Sequence, residues 1–71
     1  MQFIIINYAD PRMDVIDMNT VHLIEISRFD VSIQSGHRHT SFTSDAIDFI
    51  EFFEFLNGNR RTFTFYEVEE E

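Results

Sequence analysis

The chain has no cysteine, no tryptophan, one proline and two glycines in 71 residues, and all five of its cations are arginine. Without cysteine, neither disulfides nor thiolate metal sites can reinforce a small core. Positive charge is scarce: 5 basic against 13 acidic side chains leave a formal charge of −8. Clustered Lys and Arg are what counterion release requires, so direct binding to nucleic acid or to an anionic membrane is not expected. The N-terminal run Phe3-Ile4-Ile5-Ile6 is too short to span a bilayer. It has no positive region before it and no small-residue cleavage site after it, as a signal peptide would. A cytoplasmic protein is the expectation, in the host cytoplasm if the gene is carried by a phage. There is also no Gly-rich phosphate loop, no D-x-D-x-D-G calcium loop and no nucleophile elbow.

What the chain does contain is apolar mass. Hydrophobic residues make up 44% and phenylalanine alone accounts for 9 positions, too much for a disordered acidic chain. A chain of this length supports one core, burying about 60% of its unfolded surface, so residues 1–71 are expected to form a single small domain. Glu67-Val68-Glu69-Glu70-Glu71 is an acidic run that should stay solvated and frayed at 67–71.

Phe3 to Tyr8 is apolar on both faces and is expected as a central strand. Ala9-Asp10-Pro11-Arg12 has the residues of a turn, and Met13 to Asp17 can return as a second strand. Val21 to Ser27 alternates, and Ser27-Arg28-Phe29-Asp30 leads into Val31-Ser32-Ile33-Gln34. Ser35-Gly36 between Gln34 and His37 predicts a tight hairpin. In that register Phe29, Val31 and Ile33 share an apolar face with Phe42, Thr40 and Arg38, while Asp30, Ser32 and Gln34 oppose Ser41, His39 and His37 on a wet face. Thr43-Ser44-Asp45 is expected to open a helix and Asn57-Gly58-Asn59 to close it, with Gly58 in the left-handed position after the helix. Thr62 to Val68 alternates Thr and Phe and forms a last strand. The expected architecture is α+β: an antiparallel β-meander of five to six short strands, curled, with one amphipathic helix packed on one face.

At about 100° per residue, Ala46, Phe49, Ile50, Phe53 and Leu56 form one helical stripe, which is the expected core face. Phe55 then projects opposite the stripe, with Phe52 and Ile47 on its flanks, among Asp45, Asp48, Glu51 and Glu54. An exposed Phe forgoes about 1.5–3 kcal/mol relative to burial. Asp45, Asp48, Glu51, Phe52, Glu54 and Phe55 are therefore the expected partner-binding surface, against the plainer alternative that single exposed apolar residues need no explanation. A second copy meeting through Phe52 and Phe55 is the alternative partner.

His37-Arg38-His39 places two imidazoles at i and i+2, with Asp30 as a third ligand for Zn or Ni. The plainer alternative is a pair of solvated histidines beside a turn, and no metal or other cofactor is expected. Ser32, Ser41, His39 and Asp30 share the polar hairpin face but lack an elbow or oxyanion hole, so catalysis is not expected either. An acidic helix of this kind can occupy a basic groove that normally holds nucleic acid. In size and charge the chain resembles small acidic α+β proteins that block restriction, CRISPR or polymerase machinery, many of them from phages. The resemblance implies an inhibitor or modulator of a nucleic-acid-handling complex, and it carries no motif. The alternation from Asn19 to Gly36 also resembles short β-meander regulators of the flagellar FlbD type, which carries no functional residue across.

Overall fold

The structure, a computed structural model, describes residues 1–70. Six strands and one helix alternate in the order β1 (Phe3–Tyr8), β2 (Met13–Asp17), β3 (Val21–Ser27), β4 (Asp30–Ser35), β5 (Arg38–Thr43), α1 (Phe49–Leu56) and β6 (Thr62–Glu70), with a 3-10 turn at Met18–Thr20. The protein is α+β as expected, but the sheet is mixed. Its strand order is β2-β1-β6-β5-β4-β3, and β6 enters the middle, parallel to β1 and antiparallel to β5. The sheet does not close: β2 and β3 are its two ends. The all-antiparallel meander is corrected at two points: β2 and β3 do not pair, and β6 joins the β1–β2 hairpin to the β3–β4–β5 meander. After the helix β6 adds to β5, as a meander would, and also hydrogen-bonds to β1, which thereby becomes an inner strand.

Local chemistry explains most element boundaries. Asp17 begins the 3-10 turn by accepting from the Asn19 N–H at 2.9 Å. The β4–β5 turn is Gly36-His37, since Ser35 pairs with Arg38. Of the two turn residues only Gly36 has positive φ, at 58°, as the first central position of a type II′ hairpin requires. The expected turn at Ser35-Gly36 is thus one residue early and the pairing shifts by two: Val31 faces Phe42 and Ile33 faces Thr40. An even shift keeps the side chains of the two strands on their expected faces, whereas Phe29 and His37 fall in turns and are exposed. In β6 the ladder slips between Phe65 and Val68, and Glu67 takes a left-handed φ of 51°. That bulge lets Phe63, Phe65 and Val68 all turn inward although their spacing changes from two to three. Strand β6 runs on through Glu70, so residues 67–70, expected as part of a frayed tail, lie in a strand. Thr43 Oγ1 donates to the Glu69 carbonyl at 3.4 Å and Arg12 binds the Glu70 carboxylate. Glu71 lies outside the described residues.

The helix departs most from expectation. It begins at Phe49, because Asp48 caps it: its Oδ1 accepts from the Glu51 N–H at 3.1 Å. Thr43 is still in β5, and the Ser44 N–H donates to Phe29 O at 2.8 Å, so the expected Thr43-Ser44 cap belongs to the sheet. At the other end Gly58, with φ 84°, is in the predicted place. Its N–H reaches Phe55 O at 3.0 Å and that of Asn59 reaches Glu54 O at 2.9 Å, the paired bonds of a Schellman motif.

The phase of the helix is the reverse of the one expected. Phe52 and Phe55 are 4% and 0% exposed, whereas Phe49, Ile50 and Phe53 are 47%, 77% and 57% exposed. Ala46 is exposed as well, and Ile47 is half-buried against the core. The aromatic rings of β6 decide this. Phe52 and Phe63 meet edge to face at 5.0 Å, as do Phe63 and Phe65 at 5.0 Å, and Phe55 lies tilted against Phe63 at 6.1 Å. Phe42 closes the cluster on Phe65 at 5.1 Å, and each such pair adds about 0.5–1.5 kcal/mol beyond burial. Gln2 Nε2 also donates to Phe55 O at 2.5 Å and Arg60 O at 2.9 Å, tying the helix end to the start of β1. Ile4, Ile6, Tyr8, Ile16, Val31, Ile33 and Val68 complete the core. Two buried hydroxyls, Thr40 Oγ1 and Ser44 Oγ, have no hydrogen-bond partner among the described residues.

Candidate binding surfaces

The six residues expected to form one binding surface are dispersed. Phe52 and Phe55 are core. Asp48 is the helix cap, and Glu51 has its N–H on that cap and its carboxylate on Arg60 at 3.0 Å. Glu54 remains exposed on the helix. Asp45 precedes the helix and belongs to another cluster.

That cluster lies where the β3–β4 turn, the end of β5 and the bulge of β6 converge. Asp30, Asp45, Glu67 and Glu69 line a concavity of about 620 Å³ together with Arg28, Phe29 and Thr43. Each carboxylate arrives by backbone geometry. Asp30 pairs with Thr43, Thr43 with Glu69, and the left-handed Glu67 is turned there by the bulge. Arg28 reaches it from a two-residue turn in which it holds a φ of 55°. None of these four carboxylates forms an ion pair among the described residues, whereas Arg12, Arg38 and Arg60 are committed to Asp10 and Glu70, to Asp14, and to Glu51. Sequence reading missed the cluster because its members come from β4, the β5–α1 link and a bulge.

The second surface is apolar. Between α1 and the end strand β3 runs a groove of about 500 Å³, walled by Phe49, Phe53 and Leu56 on one side and Val21, Ile24 and Ile26 on the other. Its signal was present in the sequence as the stripe Phe49, Ile50, Phe53 and Leu56, assigned there to the core. No helix of the described residues is long and apolar enough to cross a membrane.

The chemical candidates are placed as follows. His37 sits in the hairpin turn and His39 on β5, so they do not share a strand face. Asp30 is four residues along β4 from Gln34, the partner of His39, or roughly 13 Å at strand spacing. No group of metal-ligating side chains that could hold an ion is present among the described residues. Ser32 Oγ and His39 Nε2 do share a hydrogen bond, at 2.5 Å, with Ser41 Oγ at 3.3 Å from the same nitrogen. This trio is a cross-strand cluster on the exposed sheet face. Asp30, beyond its reach, does not orient the imidazole.

Near this trio, in a recess it shares with His39 and Ser41, Tyr8 donates to Asp14 Oδ2 at 2.9 Å, and the Arg12 guanidinium lies 4.1 Å from the ring centre. Burial first, then the hydrogen bond and charge of Asp14, push the Tyr8 phenol up to about 12. The Glu70 carboxylate holds the Arg12 guanidinium above its ordinary value. These groups brace the β1–β2 turn against the end of β6.

The fold and its two surfaces thus describe a small α+β protein with an acidic concavity and a separate apolar groove. Comparison with protein-family models, with curated proteins and with solved structures finds no match to this chain. The flagellar-regulator resemblance of Asn19 to Gly36 gains no support there.

Proposed function

We propose that this protein is a non-enzymatic binding module that presents its acidic concavity to a basic surface of a protein partner. In its most specific form it inhibits or modulates a nucleic-acid-handling complex by occupying a groove that otherwise holds nucleic acid, as a phage anti-defence protein would. The observation that carries this reading is the convergence of Asp30, Asp45, Glu67 and Glu69 around one concavity, without ion-pair partners among the described residues. Like charges held together by the backbone repel one another, and a partner's cations relieve that repulsion while releasing counterions, the mirror image of DNA binding. With three arginines paired elsewhere, Arg28 is the one cation lining this end, facing four carboxylates.

Affinity capture from the native host identifies the partner, and the purified pair then tests the mechanism. The expected complex dissociates with rising salt, is displaced by duplex DNA, and is weakened by Asp45→Asn with Glu69→Gln. A complex that survives high salt unchanged and ignores DNA overturns the reading.

A further inference from the structure

The apolar groove is distinct from the acidic concavity, and none of the carboxylates lines it. The structure points to a second copy of this chain as its occupant: we propose that two copies associate about a two-fold axis with α1 of each seated along the groove of the other.

Three observations select that occupant. The first is shape. A two-fold interface must contain both a projection and its own recess. Here Ile50, 77% exposed, projects from α1 beside the recess that Phe49, Phe53 and Leu56 wall together with Ile24 and Ile26. At about 100° per residue, Phe49, Phe53 and Leu56 all fall to one side of the buried pair Phe52 and Phe55. The helix therefore meets its own sheet by one flank and turns the middle of its apolar stripe to the groove.

The second is area. Phe49, Ile50, Phe53, Leu56 and Leu23 are each between 41% and 77% exposed. With ~200 Å² for a fully exposed large side chain, they offer on the order of 500 Å² of apolar surface. A stable interface takes about 800 Å² from each partner, roughly 60% of it apolar, so the patch supplies what one copy must contribute.

The third is charge. Two chains of −8 repel each other on most approaches, and only a face without carboxylates lets them meet. The groove is such a face, its one titratable lining residue being His22. A basic partner, by contrast, finds its counter-charges at the acidic concavity rather than here.

Sedimentation velocity over a micromolar to submillimolar series tests the proposal. The wild-type mass should double across the series, and Phe53→Asp should weaken association by about 100-fold or more, as loss of a central anchor does. Ile50→Asp provides a second variant at the most exposed position of the stripe, in the first helical turn where a carboxylate is tolerated. Both should keep the wild-type circular dichroism. Asp45→Asn, in the acidic concavity, should leave the dimer intact, which separates this proposal from the functional one. A wild-type chain that stays monomeric throughout overturns it, including a monomer that takes up a fatty acid or a peptide in the groove. So does a dimer that persists in both variants.

Discussion

Tyr8 shows how one side chain can set the pH range of a small fold. Its phenol is buried, donates to Asp14 and carries Arg12 on its ring, and its value lies near 12 rather than the ordinary 10. Because the folded value is raised, the stabilisation is complete below about pH 10, where folded and unfolded chains both hold the proton. It is lost as pH climbs from 10 towards 12 and the unfolded phenol ionises first. Melting curves should therefore fall more steeply over that interval for the wild type than for Tyr8→Phe, and parallel slopes would contradict the assignment. At this scale the residues that state their own backbone requirement were legible. Gly58 occupies its left-handed position after the helix, and Gly36 its hairpin. His37 was not legible, because a shift of one residue in the turn moves it from strand to loop.

For the helix, orientation matters more than existence. Its sequence, Phe49-Ile50-Glu51-Phe52-Phe53-Glu54-Phe55-Leu56, is apolar except for two glutamates, so nearly any flank can be the buried one. The choice of Phe52 and Phe55 predicts opposite outcomes for neighbouring phenylalanines. Phe55→Ala should cost about 3–5 kcal/mol in urea denaturation, the cavity cost of a buried aromatic. Phe53→Ala, measured at concentrations where the chain is monomeric, should cost less than about 1 kcal/mol. Equal losses would mean that both rings are core. The capping residue was misread for a related reason. Thr43-Ser44-Asp45 and Asp48 each satisfy the cap chemistry, and only the extension of β5 through Thr43 removes the first from contention. The strands fared better, since a period of two survives even a two-residue slip of register.

In the whole molecule, charge and topology act together. Three of the five arginines are spent on exposed ion pairs, each worth about 0–1 kcal/mol, and the remaining negative charge is distributed without partners. Its self-repulsion should be screened as the Debye length shortens from about 30 Å to about 8 Å between low and physiological salt. The melting temperature should rise with salt, by ~4–8 °C for each 1 kcal/mol of repulsion removed. A fall would show that the ion pairs outweigh the excess charge. The same salt that steadies the monomer should favour its self-association and loosen a basic partner, because only the last contact is charge-led.

By itself the sequence determined the strand-rich α+β class, the positions of the six strands, the strand faces of the β4–β5 hairpin, the helix stop and the net negative charge. These follow from periods, turn residues and counts, all of which are local. Tertiary structure alone decided that β6 runs parallel to β1 inside the sheet, that Phe52 and Phe55 rather than Phe49 and Phe53 face the core, and that four carboxylates from separate elements share one concavity. Each of these depends on contacts between residues far apart in the chain. A helix apolar on most of its circumference contains no internal preference strong enough to anticipate which side the rings of Phe63 and Phe65 will take.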